Sequence, residues 1–364
     1  MDSLGETPGK TLRARGSPGI GQQEQSKGRE SAMSQVTLSG LTPTSSGIRL
    51  GNYFGAVRQW IDLQREGGAH YFIATYHALT TVKKAETLRD NIFGIACDYL
   101  ALGLDPEKAV IYRQEDVPEV CELSWVLSTL TPMGLLERCH AYKDKVEKGI
   151  SADHGLFAYP CLMAADILIV RSHRVPVGQD QKQHVEVTRD IAGKFNQLYG
   201  EVFPLPEPLI LEGQAAKVPG VDGQKMSKSY GNDLGIFEPE KKLRKKIMGI
   251  VTDSQGVDDP KDPEGNTIHE LYKLVAPQEK VDEMADKMRS TGIGYGYGHA
   301  KQELFEALLE HFADARTARA NLESDPDKVE EILREGARKI RPIVEETMDA
   351  VHQAIGIQSR SKRS

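Results

Sequence analysis

Lys225 and Lys228 stand beside Ser227 and Ser229 in GQKMSKSYGN, residues 223–232, a stretch bounded by Gly223 and Gly231. An ammonium group on a long, flexible stem is a point charge that tolerates almost any approach angle to an anion. Hydroxyls and backbone N–H groups beside it add neutral donors, and glycines let the segment swing. The composition suits a mobile contact with an anion, or a solvated basic turn. Upstream, RLGN (Arg49, Leu50, Gly51, Asn52) leads from a turn-rich segment into a helical pattern. A glycine there lets a ligand approach the backbone, and the helix start offers N–H groups that have no partner within the helix. The loop is not a Walker loop, since no G-x-x-x-x-G-K-[ST] occurs in the chain, and it does not match G-x-G-x-x-G.

A third stretch bears on specificity. On a helix, Tyr159, Met163 and Asp166 of YPCLMAADILIV are spaced i, i+4, i+7 and share a face. A lone carboxylate on an otherwise apolar face needs a donor. An indole N–H would serve, with Met163 and Tyr159 giving its rings soft, flat contacts. An internal arginine or a backbone N–H would serve as well. Other candidates read as structural. His184 and Glu186, two apart on a helix, point away from one another, so no metal site follows. His154 and His173 read as loop and surface residues, and GIGYGYGHA (292–300) as the cap of a helix beginning near His299. Cys97, Cys121, Cys139 and Cys161 form no C-x-x-C pair and read as core thiols of a reducing cytoplasm.

The hydrophobic pattern sketches the fold that must hold these groups. A chain of 364 residues accommodates two packed cores. QVTLSGL (35–41), HYFIATYHAL (70–79) and AVIYRQ (109–114) are rich in strand formers, and helical patterns over 53–66 and 85–104 separate them. The alternation implies an α/β fold: a parallel sheet with helices on both faces and its ligand site beyond the carboxyl ends of the strands. LFAYPCLMAADILIV (156–170) is shorter than a bilayer needs and carries Asp166, so it reads as a buried helix and no membrane partner is expected. After Glu238 the chain reads as helix. The expected division is a disordered extension over 1–33, too poor in large apolar groups to repay ordering, and an α/β unit over 34–235 with a helical insertion near 119–150. A helical domain follows over 236–350, then the end of the last helix and a basic tail over 351–364. A net charge of −7 repels polyanions, so DNA binding is not expected and any nucleic-acid contact must be local and basic. KKLRKK (241–246) is the densest structured basic run.

Taken in order, RLGN and KMSKS resemble the two signature motifs of class I aminoacyl-tRNA synthetases, Arg49 to Asn52 standing at the place of the family's H-I-G-H. With YPxLMAADIL and VPVGxDQKQHxEVTRD between them, the chain from about Val36 to its last helix resembles bacterial tryptophanyl-tRNA synthetases. The resemblance implies a Rossmann-like catalytic domain and an all-helical anticodon-binding domain. It implies activation of L-tryptophan by ATP to tryptophanyl-adenylate, and transfer to tRNA(Trp), in a cytoplasmic homodimer whose interface lies near 119–150. Mg²⁺ would come with the ATP, without a protein metal site. The ATP site it implies comprises Thr42, Pro43, Thr44, Gly51, Asn52, Gly178, Gln179, Asp180, Val218, Lys225, Met226, Ser227, Lys228 and Ser229, with Asn52, Lys225 and Lys228 stabilising the transferring phosphate. Asp166 would accept the indole N–H, with Met163, Tyr159, Leu38, Val177 and His77, expected in the second strand, around it and Gln181 near the ammonium group. Arg49 departs from the Thr or His of relatives, Gln179 from Glu and Leu38 from Phe. The alternatives are a relative activating another aromatic amino acid and a non-enzymatic tryptophan-binding paralogue, although a pure binder has no use for a pyrophosphate clamp.

Overall fold

A computed structural model describes residues 35–45, 47–139, 142–143, 153–210 and 218–358, with Asp180 and Ser229 described by backbone alone. The expected extension over 1–33, the far part of the insertion and the end of the basic tail lie outside the described residues. Strands β1 (Thr37–Leu41), β2 (Ala69–Ile73), β3 (Ala109–Arg113), β4 (Arg174–Val177) and β5 (Glu207–Ile210) form one sheet in the order β3-β2-β1-β4-β5. Every pairing is parallel, as the alternation of elements requires. β1 is flanked by β2 on one side and β4 on the other, so the winding reverses there and a crevice opens past its carboxyl end.

Side chains alternate across the sheet. Ala69, Tyr71 and Ile73 of β2 enter one core with Ala109 and Ile111, whereas Phe72 enters a second with Leu38 and Tyr112. On the first face, α1 (Leu50–Asn52) passes through a π-helical turn, Tyr53–Val57, into α2 (Arg58–Leu63), which buries Trp60 against Tyr71 with ring centroids 5.1 Å apart. The second strand ends earlier than expected. Ala74 leaves the extended region (φ −81°, ψ 71°), and residues Thr75–Ala78 form α3, so His77 sits on a helical turn beyond the strand. Gln114 Oε1 accepts the N–H of Tyr76 at 2.8 Å and of His77 at 3.4 Å, partners that a helix start otherwise lacks. Helix α4 (Ala85–Ala101) adds Ile95, Cys97 and Tyr99 to the first core. The second face is covered by α5 (Glu119–Ser128), α6 (Met133–Glu137), α7 (His154–Ile169) and α8 (Lys182–Tyr199). Helix α7 is the expected buried helix, and Asp153 caps its start by accepting the Leu156 N–H at 3.1 Å. Three cysteines are buried as expected, but Cys121 is exposed on α5.

The rest is α9 (Glu240–Met248), α10 (Thr267–Val275), α11 (Gln278–Arg289), α12 (Tyr297–His311), α13 (Ala313–Glu323) and α14 (Pro326–Ile355). Helix is not continuous after Glu238. Residues 249–266, rich in Asp, Pro and Gly, run without one, tied down by the buried Lys261, which donates to the Asp259 carbonyl at 2.7 Å. The glycine-rich segment before α12 acts as the expected cap: the His299 ring accepts the Gly296 N–H at 3.1 Å. Helix α14 crosses the free edge of β3. Its Val329 and Leu333 belong to the first core, and Ile340, Val344 and Val351 to the second. Gly336 lies between, where a Cβ would stand 1.8 Å from the Ile111 carbonyl oxygen. The crossing is fastened by Arg113, whose guanidinium takes Glu330 at 2.8 and 3.1 Å, and by Arg341, which reaches Glu119 and the Asp116 carbonyl at 2.7 Å. A covered edge cannot template strand addition.

Gly336→Ala forces helix and strand apart, and overpacking of this kind costs about 1–3 kcal/mol. The urea midpoint should fall accordingly; an unchanged midpoint would show that α14 is not seated on β3.

Candidate active site

The two motifs meet through backbone. Leu50 N–H donates to the Leu234 carbonyl at 2.9 Å and Ile236 N–H to the Ile48 carbonyl at 3.1 Å, making a short antiparallel seam between RLGN and the segment that leaves the lysine loop. The loop itself rests on the first motif. Met226 Sδ accepts the Gly51 N–H at 3.4 Å, and Lys228 donates to the Thr44 carbonyl. Thr42, Pro43 and Thr44 follow β1 directly, and the buried Asn91 holds the Pro43 carbonyl at 3.0 Å. Thr44, Gly51, Met226 and Lys228 are thus brought together at the carboxyl end of β1. Asn52 Oδ1 accepts Arg49 Nε at 3.2 Å, and burial lowers the Arg49 pKa against the pull of Asp233. Val218 is buried, and its carbonyl accepts the Met226 N–H at 3.0 Å. Lys225 is exposed, its backbone bridged to Pro219. Gly178 precedes a 3-10 turn, Gln179–Gln181, just past β4, and Gln179 is exposed. Within KKLRKK, Lys246 holds the Asp233 carbonyl and Glu238 Oε1, both at 2.8 Å, so that lysine is spent on the segment after the loop.

Asn232, the last residue of GQKMSKSYGN, is 2% exposed and organises the loop. Its Oδ1 accepts the Ser227 N–H at 2.7 Å, while Nδ2 donates to Asp222 Oδ1 at 2.7 Å and the Lys225 carbonyl at 3.2 Å. Gly220 lies so close that a Cβ there would stand 2.4 Å from the carboxamide. Gly223 and Gly231 both adopt positive φ, 80° and 66°. Asn232 therefore latches the base of the loop, and the two glycines flank its lysines. An asparagine beside a glycine reads as an ordinary turn, which conceals this role.

Asp166 is 2% exposed and bonded to neither an arginine nor a backbone N–H among the described contacts. Its Oδ2 lies 2.8 Å from His77 Nε2, and Gln114 Nε2 donates to Oδ1 at 2.8 Å and Oδ2 at 3.0 Å. Burial raises the carboxyl pKa, with the His77 and Gln114 contacts pulling the other way. Gln114, at the carboxyl end of β3, thus holds the acid with one end of its amide and α3 with the other; only its place at the strand end hints at this. Tyr159 hydroxyl and His184 Nε2 are hydrogen-bonded, and His184 is buried. The spacing argument that set His184 apart from Glu186 missed this bond to the neighbouring helix. His77 meets the Tyr159 ring edge-on, centroids 6.2 Å apart. Leu38, Met163 and Val177 all pack in the second core. Gln181 is half-buried at the end of its 3-10 turn. A cavity of about 360 Å³ opens beside His77 and Tyr159, with Cys121 and Leu162 in its wall, and Asp166 lies outside its lining. Among the described residues no group of three His, Cys, Asp or Glu is placed to hold a metal, and no helix is long and apolar enough to cross a membrane.

Residues 32–313 match the family of tRNA synthetases class I (W and Y). The chain is similar to the tryptophan–tRNA ligases of Rhodopirellula baltica, 53% identical over 88% of this chain and 99% of that one, and of Fusobacterium nucleatum, 52% identical over 88% and 98%. Its structure is similar to that of the tryptophanyl-tRNA synthetase of Campylobacter jejuni complexed with ADP and tryptophan, with a TM-score of 0.83 and 48% identity, covering 88% of this chain and 99% of that one.

Asn232→Ala leaves the Ser227 N–H and its neighbours unpaired, a cost of about 1–3 kcal/mol. That is roughly 5- to 150-fold in the opening equilibrium of the loop. Trypsin should cut after Lys225 and Lys228 faster by a factor in that range; cleavage at the wild-type rate would show that the side chain does not hold the loop.

Proposed function

The chain belongs to the class I tRNA synthetases (W and Y), and we propose that it acts as a tryptophan–tRNA ligase, activating tryptophan with ATP and transferring it to tRNA(Trp). The observation that carries the reading is the seating of the lysine loop on the first motif, with Met226 on Gly51 and Lys228 on Thr44. When the tryptophan carboxylate attacks the α-phosphate, negative charge gathers on the departing pyrophosphate. Lys225 and Lys228 close on that charge, and Asn52 and the loop N–H groups add neutral donors beside them. No covalent intermediate on the protein is needed. Thr42 to Thr44, Gly178 to Asp180 and Val218 cradle the nucleotide, and Mg²⁺ travels with it.

Asp166 selects the amino acid. Its present partners are an imidazole and a carboxamide rather than a fixed cation, and a carboxylate oxygen accepts more than one bond. An indole N–H can therefore join it. Phenylalanine offers no N–H and leaves part of the carboxylate unsatisfied, at about 1–3 kcal/mol or more for a charged group. Tyr159, braced by His184, lines the ring site with Met163, Val177 and Leu38, while Gln181 faces the ammonium group. The helices after 236 face the tRNA, with Lys241 and Lys245 exposed on α9. A homodimer is supported by Trp125, 73% exposed on α5, and Met133, 63% exposed on α6, large apolar groups that a second copy would cover. Free cysteines suit the cytoplasm.

Pyrophosphate exchange tests the activity. Tryptophan should stimulate it and tyrosine should not; the reverse would overturn the reading. Lys228→Ala should slow exchange by about 10²- to 10³-fold, and Asp166→Ala should weaken tryptophan binding and narrow the margin over phenylalanine. Trp125→Asp should turn the dimer into a monomer in sedimentation; a wild type that already sediments as a monomer would remove the dimer from the account.

A further inference from the structure

We infer that Arg316 and Arg319, one turn apart on α13, are positioning residues that set the spacing between the first motif and the lysine loop. The inference rests on the reading of those segments as the ATP-handling pair. Both rails of the seam are tied to α13. Arg316 Nη1 donates to the Ile236 carbonyl at 2.5 Å and Nη2 to the Glu238 carbonyl at 2.9 Å, which fixes the rail leaving the loop. Arg319 Nε donates to Asp98 Oδ1, and Asp98 Oδ2 accepts the Ile48 N–H at 2.5 Å, which fixes the rail entering RLGN. Between them the Arg319 guanidinium lies over Phe237, 5.1 Å from the ring centroid.

Several features show that these contacts seat the helix. Helix α13 contributes no fully buried side chain; Ala315 and Leu322 pack at the margin of the first core, and the two arginines make its hydrogen bonds to the seam. The Asp98 side chain is fully buried and that of Arg319 only 12% exposed, so neither swings freely in solvent. Burial pushes the Asp98 carboxyl up, to about 7, while Arg319 and the Ile48 N–H hold it down. A planar guanidinium spans two carbonyls in one geometry, which an ammonium group cannot do. Both arginines lie past the stretch matched to the family, 32–313.

The test is single-turnover adenylate formation from tryptophan and ATP, with active sites titrated so that rates are per competent site. Arg316→Ala and Arg319→Ala should each lower that rate by about 10- to 100-fold, the scale of a misplaced reacting group, and leave tryptophan affinity unchanged. Arg319→Lys, which keeps a cation on Asp98, should recover most of the loss; Arg316→Lys should not. Asp98→Asn should reproduce the Arg319→Ala loss, and the double variant should be no worse than either single one. If Arg319→Ala does not fold, Arg319→Lys and Asp98→Asn carry the comparison. A reduced fraction of titratable sites with a wild-type rate per site would mean a merely structural role and would overturn the inference, as would variants indistinguishable from wild type. Wild type that forms no adenylate from tryptophan would overturn the reading of the site, and this inference with it.

Discussion

Two backbone hydrogen bonds, Leu50 to Leu234 and Ile236 to Ile48, join segments that the chain separates by most of its sheet. The placement of the lysine loop against the first motif depends on that seam. The lysine loop returns to the helix start beyond β1, and the seam is where the return is made. The sheet supplies the floor, because its winding reverses at β1 and leaves a crevice there. Asn232 supplies the latch on one side of the seam, and Asn91 steadies the Pro43 carbonyl on the other.

Two buried carboxylates show how one residue type serves two ends. Removing a charge from water is costly unless partners replace the water. Asp98 is answered by an arginine and a backbone N–H, groups that belong permanently to the fold. Asp166 is answered by an imidazole and a carboxamide, with the wall of a cavity formed by the same His77. Burial raises both pKa values. The first arrangement fixes backbone, and the second joins side chains from three separate elements.

Much of this was legible in the residues. Helical periodicity placed Tyr159, Met163 and Asp166 on α7, and strand alternation with β-rich composition predicted a parallel sheet with helices on both faces. KMSKS and RLGN, singled out as a pair, are brought into contact by the fold. The errors and omissions have a common physical origin. His77 sits in a run of strand formers, and the Gln114 amide, reaching over from β3, caps the helical turn that the run adopts. Gln114, His184, Asn232 and Asp98 all act through bonds made by folding rather than by neighbours on the same helix face, and no periodicity reports such bonds. In KKLRKK, Lys241, Lys242, Arg244 and Lys245 are exposed, and Lys246 points back to Asp233 and Glu238.

The crossing of α14 over β3 has a temporal consequence. The last long helix contributes to both cores, and its glycine passes within atomic contact of a strand made more than two hundred residues earlier. Synthesis proceeds from the amino end at about 5–20 residues per second. While α14 is still inside the ribosome, the nascent sheet has an open edge at β3, and both cores lack the side chains that α14 brings. For that interval, on the order of ten seconds or more at those rates, an unpaired strand edge stays open to other chains, and the arrival of the last long helix closes it.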